Sequence, residues 1–173
     1  MQRRMPLPEI LRYIVAAAVT GVLVWAAVSD AIWRRIPNSS VLVVIALYAA
    51  WAVLVGGAGL VPALIVAALA LAVGFVLFTF KVWGGGDAKL FAAVALFAGF
   101  AHIYTLILVT ALAGGLMAVV SLASRPMRAM VIWNMKGKGD FGRGIPYGVA
   151  IAAGGAAVVW GQLLGWIRPY VAF

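Results

Sequence analysis

Long apolar runs, rich in Ala, Leu and Val, alternate along the chain with short polar breaks, and the runs show no dyad alternation. Runs of that length without a period of two predict helices rather than the strands of a barrel. A helix that crosses a membrane takes ~20 mostly apolar residues. The candidate spans are 11–29, 41–58, 59–80, 88–100, 102–123 and 145–167. As one helix, residues 88–123 would reach ~54 Å against a hydrocarbon core of ~30 Å, so a break near Gly99-Phe100-Ala101-His102 divides them. The expected fold is an all-α integral membrane protein, a polytopic bundle of six transmembrane helices, in a single domain over 1–173.

Composition supports that picture. Hydrophobic residues make up 66% of the chain and charged residues only 10%, where a soluble domain carries about a quarter charged. There is no cysteine, which excludes disulfides, Cys-ligated zinc and thiol catalysis. One histidine does not make a metal site unaided, so no metal and no cofactor is expected. Arg3 and Arg4, the apolar run 11–28 and Ala27-Val28-Ser29 imitate a secretory signal, but that run is long for a signal core and further spans follow. It reads as a retained first helix.

The net charge of +9 invites a nucleic-acid partner, but the basic residues fall in short loops between apolar spans. With six spans, loops 30–40, 81–89 and 124–144 share one side. They carry Arg34, Arg35, Lys81, Lys89, Arg125, Arg128, Lys136, Lys138 and Arg143, nine of the thirteen basic residues. Positive loops stay cytoplasmic, so both termini are expected outside and no nucleic acid is implied. Met127 to Met135 reads either as a short helix along the inner interface or as an irregular cytoplasmic loop.

Asp30, at the end of the first span, and Asp87, at the start of the fourth, fall at one membrane face. Ionisable groups at a span are costly and often functional. Two carboxylates brought close share a proton, so that one activates water while the other protonates or polarises a carbonyl. The glycines of Gly84-Gly85-Gly86-Asp87 allow sharp turns and close approach by an extended substrate. The plain alternatives are an Asp30–Arg34 surface pair and a simple N-terminal cap by Asp87.

Two stretches carry a resemblance. Asp30-Ala31-Ile32-Trp33-Arg34-Arg35-Ile36-Pro37-Asn38 resembles the first signature of the type IV prepilin peptidase family, and Gly84-Gly85-Gly86-Asp87-Ala88-Lys89-Leu90 resembles its Gly-x-Gly-Asp signature. Ile145-Pro146-Tyr147-Gly148-Val149-Ala150-Ile151-Ala152 looks like the last-helix motif of short members that serve tight-adherence (Flp) pili. The resemblance implies an aspartic endopeptidase with Asp30 and Asp87 catalytic, no metal, and prepilins or pilin-like subunits as partners. It implies cleavage of a short basic leader at the cytoplasmic face of the bacterial inner membrane. Longer members also methylate the new N-terminus, using an additional N-terminal region often marked by a cysteine tetrad. With ten residues before its first span and no cysteine, this chain is expected to be a protease only.

Other residues divide between roles. Gly84, Gly86, Ile36, Pro37 and Asn38 are expected to support the active-site loops, with Asn38 able to cap the second helix. Lys89 either acts near Asp87 or anchors the inner interface. Arg34 and Arg35 either meet anionic lipid headgroups or are solvated loop charges. His102 falls in an outer loop and is rejected as a base; Asp140 reads as a solvated partner of nearby cations. Gly161 and Gly165 have small-xxx-small spacing for helix packing, and Gln162 is expected to bond across helices. Pro62-Ala63-Leu64 resembles a presenilin-type motif but precedes the Gly-x-Gly-Asp, and is coincidental. The competing functions are a small transporter or channel using the same aspartates for a cation or protons, and a non-catalytic subunit of a secretion complex.

Overall fold

The computed structural model describes residues 7–57, 59–123 and 146–168. Among them are five helices: α1 (Leu7–Trp33), α2 (Asn38–Leu54), α3 (Leu60–Thr79), α4 (Gly85–Ala123) and α5 (Tyr147–Leu163). Asp140 and the stretch Met127–Met135 lie outside the described residues. Helices α1, α3 and α4 are each long and apolar enough to cross a membrane, while α2 and α5 have 17 residues apiece. Large apolar side chains such as Leu69, Phe75, Leu112 and Val119 remain exposed. In water such a surface would be a liability; against lipid tails it costs nothing.

Five helical elements stand where six spans were expected, because segments 88–100 and 102–123 are joined into one element across a kink at a single non-helical residue, Gly99 (φ 53°, ψ −166°), which is where the break was expected. The direction of α4 nevertheless changes there. Trp83, just before α4, packs on Tyr147 at 6.3 Å between ring centroids. Deep in α4, a methyl on Gly114 would stand 3.4 Å from the same tyrosine. A straight helix would separate residues 85 and 114 by about 43 Å. The two arms therefore fold back on each other, and His102, expected in a loop, is buried within the helix.

Gly99 occupies a region of backbone space that is essentially glycine-only, where a side chain costs about 1–3 kcal/mol. Gly99→Ala is accordingly expected to lower stability by that order. Thermal unfolding in detergent measures it, and an unchanged midpoint would mean the turn is held by something other than this backbone angle.

Helix α5 is wedged between α1 and both arms of α4. A methyl on Gly155 would stand 2.8 Å from Leu23 of α1 and 2.9 Å from Val94 of the first arm, and one on Gly154 would strike Thr110 and Leu106 of the second arm. Small residues let helix backbones approach where water supplies no drive for association. Polar groups then fasten α5. Trp160 Nε1 donates to Thr20 Oγ1 at 2.8 Å, Thr20 Oγ1 donates to the Ala16 carbonyl at 2.8 Å, and Gln162 Nε2 donates to the Phe97 carbonyl at 2.9 Å. Gln162 thus bonds across helices as expected. The Gly161–Gly165 spacing does not serve packing between helices: Gly161 is covered by Ile167, and Gly165 lies beyond the end of α5 with φ 72°.

Candidate active site

Two helix ends and two helix starts converge on one cleft. Its volume is about 490 Å³ and its walls include Asp30, Arg34, Ile36, Lys81, Trp83, Gly84, Gly86, Asp87 and Tyr147. That volume is in the range of ligand pockets, ~300–1,000 Å³. Asp30 sits in the last turn of α1 and is buried, at 8% exposure. A carboxylate there meets the negative end of the α1 dipole, which is unfavourable by itself. The compensation comes from α5, where the Gly148 N–H donates to Asp30 Oδ2 at 2.8 Å.

Asp87 is the third residue of α4 and half-buried. Its Oδ2 accepts from the N–H of Gly84, the residue preceding the helix, at 3.1 Å. This is the return half of a capping box, which satisfies one of the free donors at a helix start. Capping and lining the cleft are therefore one placement. A methyl on Gly84 would stand 3.0 Å from that same carboxylate oxygen. Gly86 has a different constraint, since its methyl would stand 3.1 Å from Ile36 Cβ. Ile36 thus packs the α1–α2 connection directly on the glycine turn.

Arg34 (φ 55°) and Lys81 (φ 59°) are the non-glycine residues with left-handed backbone among those described. Both terminate helices and both line the cleft. The Arg34 N–H donates to the Asp30 carbonyl at 2.9 Å. After α3, Lys81 N–H donates to Phe78 at 2.9 Å and Val82 N–H to Leu77 at 2.9 Å, a Schellman ending. At the far end of α2 the corresponding positions are Gly56 and Gly57. Glycine would relieve roughly 1–2 kcal/mol at each basic position. The basic residues instead set a cation at a helix C-terminus, where the dipole favours it, and at the cleft wall.

Of the expected site residues, Asp30, Asp87, Gly84, Gly86 and Ile36 come together at the cleft, whereas Lys89, Pro37 and Asn38 are not part of its lining. Lys89 Nζ donates to Asn38 Oδ1 at 3.3 Å in an exposed bridge from α4 to α2. Asn38 is not the cap of α2: that place belongs to Pro37, whose carbonyl accepts from Ser40 N–H at 3.1 Å. The exposed bridge is worth little. Lys89→Ala is expected to change stability by less than about 1 kcal/mol and turnover by less than ~3-fold. A loss of more than tenfold in a peptide-cleavage assay would give Lys89 a role in the chemistry after all.

Sequence reasoning missed Trp83, Tyr147 and Lys81 as cleft residues, and Gly148 as the partner of Asp30. His102 Nε2 pairs with the Arg168 carbonyl at 2.5 Å and has no place in the cleft. The described residues contain no group of three or more His, Cys, Asp or Glu arranged to hold a metal.

No curated protein and no solved structure gives a match to this chain. The sequence model of the type IV leader peptidase family does match, over residues 17–119. That span includes both aspartates and the glycine turn between them. A match across more than half of the chain, centred on the elements that build the cleft, means that the protein belongs to the type IV leader peptidase family.

Proposed function

We propose that the protein is an aspartic endopeptidase that removes the basic leader from Flp-type prepilins, with Asp30 and Asp87 as the catalytic pair. The observation that carries this reading is the convergence of both carboxylates on one cleft in a member of a leader peptidase family. One ionised carboxylate takes a proton from water as the water oxygen bonds to the scissile carbonyl carbon. The other, protonated, donates to the carbonyl oxygen. Collapse of the adduct breaks the C–N bond, and the leaving amine takes up a proton from the pair. No cofactor or metal is required. The chemistry belongs at the cytoplasmic face of the inner membrane, because Arg34, Arg35 and Lys81 surround the cleft and positive loops are retained inside. Both termini then face outward.

Purified protein in lipid nanodiscs is expected to cut a Flp-type prepilin once, at the leader boundary, as read by intact mass. Because one acid and one base are needed, the rate should describe a bell against pH whose limbs belong to the pair as a unit. A rate that rises monotonically from about pH 4 to about pH 9 would contradict the shared-proton mechanism. Absence of cleavage together with aspartate-dependent cation flux in proteoliposomes would replace the peptidase by a transporter. The natural absence of cysteine lets single cysteines at Lys81 and Gly57 report sidedness. Labelling of position 81 from the outside would invert the orientation.

A further inference from the structure

Helix α5 starts at the cleft with a glycine that has no space for a side chain. Gly148 is buried and is the second residue of the helix. A methyl there would stand 2.9 Å from both Cβ and Oδ2 of Asp30 and 3.2 Å from its Cγ. Real contacts of that kind hardly occur, and the neighbour is a short side chain rather than the far end of a flexible one. The Gly148 N–H is one of the donors that a helix leaves free in its first turn, and it is spent on Asp30 Oδ2 at 2.8 Å, in a buried bond between residues 118 apart. The start of α5 is also held independently of Asp30. Pro146 precedes it at φ −71°, and Tyr147 lies between Trp83 and Gly114.

We propose that Gly148 is a positioning residue of the peptidase reaction: its N–H and its bare Cα fix the Asp30 carboxylate in one orientation, with Oδ2 occupied and Oδ1 left to the cleft for proton transfer. The inference rests on the catalytic reading of Asp30 given above. Other close-packed glycines of α5 do something different. Gly155 is as crowded, 2.8 Å from Leu23 and 2.9 Å from Val94 by the same measure, but its neighbours are apolar and it donates to no cleft residue in that contact. It serves as the packing control. The charged and titratable groups sharing the cleft with Asp30 are Arg34 and Arg35 beyond α1, Lys81 and Asp87 from the α3–α4 turn and α4, and Tyr147 of α5. None of these is altered by changing position 148.

The test uses the full chain in nanodiscs with a Flp-type prepilin, and turnover is counted per folded molecule. Replacing Gly148 by glycolic acid through suppressor-tRNA translation turns its amide into an ester, deleting the donor without adding a side chain. This variant is expected to fold, to lose ~10-fold or more in kcat/KM, and to move one limb of the pH–rate profile to higher pH, since the lost N–H favours the ionised carboxylate. Gly148→Ala should lose at least ~100-fold, because displacement of a reacting group adds to the lost bond. Gly155→Ala should lower thermal stability while turnover per folded molecule stays within ~3-fold of wild type. An ester variant with wild-type turnover and an unmoved pH profile overturns the proposal. So does a Gly148→Ala deficit that tracks the loss of folded protein as it does for Gly155→Ala. Cleavage by Asp30→Asn in the same assay overturns the parent reading as well, and is separately visible.

Discussion

Asp30→Asn and Asp87→Asn are each expected to reduce prepilin cleavage by at least ~10²-fold while leaving the protein folded, since a positioned acid or base contributes about 10²–10⁴-fold. Folding should survive because an asparagine oxygen can still accept the bond each aspartate accepts now, from Gly148 N–H at one site and from Gly84 N–H at the other. What the substitution removes is the ability to take up and release a proton. The pair acts as a unit, so the double variant should be no worse than either single one. Cleavage of a purified prepilin, with monodispersity in detergent as the folding check, measures all three. Retention of a tenth of wild-type turnover by either single variant would remove that aspartate from the mechanism.

The second large effect lies away from the cleft lining. A methyl on Gly74 of α3 would stand 2.8 Å from Ala88 Cβ and 3.1 Å from its Cα. Ala88 follows Asp87 directly, so α3 can admit a side chain at 74 only by pushing back the first turn of α4. Gly74→Val is expected to cost about 1–3 kcal/mol of stability by overpacking. It should also lose ~10²-fold in cleavage, the scale on which a displacement of about 1 Å acts. Gly115→Ala is the contrast: nothing lies within 4 Å of the added methyl, and alanine in a helix gains about 0.5–1 kcal/mol over glycine. Unfolding midpoints of the two variants should therefore move in opposite directions, while turnover falls in Gly74→Val alone. Wild-type behaviour of Gly74→Val would mean that α3 and α4 do not hold Asp87 in place.

Local features were readable from the sequence, and the aspartates with their glycine turn are the clearest of them. Asp87 caps and faces the cleft from a position three residues after Gly84, a relation contained within one turn. Gly74 and Gly148 could not be found that way. Each is defined by what faces it across the bundle, Ala88 in one case and Asp30 in the other, and nothing within their own helices marks them among the many glycines of the chain. Lys89 illustrates a misleading closeness. Two positions beyond Asp87 is about 200° around a helix, so its side chain leaves on another face and reaches Asn38. Lys81, six residues earlier, reaches the cleft because the backbone turns left-handed there. The Gly161–Gly165 spacing failed because it presumed a helix that in fact ends at Leu163. Hydropathy located the stretch where α4 changes direction, but it could not say that one residue suffices for the turn.

That one-residue turn fixes the length of the chain at this point. Any insertion or deletion beside Gly99 would rotate the second arm of α4 by about 100° per residue and slide it by ~1.5 Å. Leu106 and Thr110 would leave Gly154, and Gly114 would leave Tyr147. Slack elsewhere in a loop can absorb a change in residue number; a turn built from a single glycine has none. The register between the two ends of the bundle is thus set by counting residues through Gly99, which makes this distant corner one of the least adjustable parts of the chain.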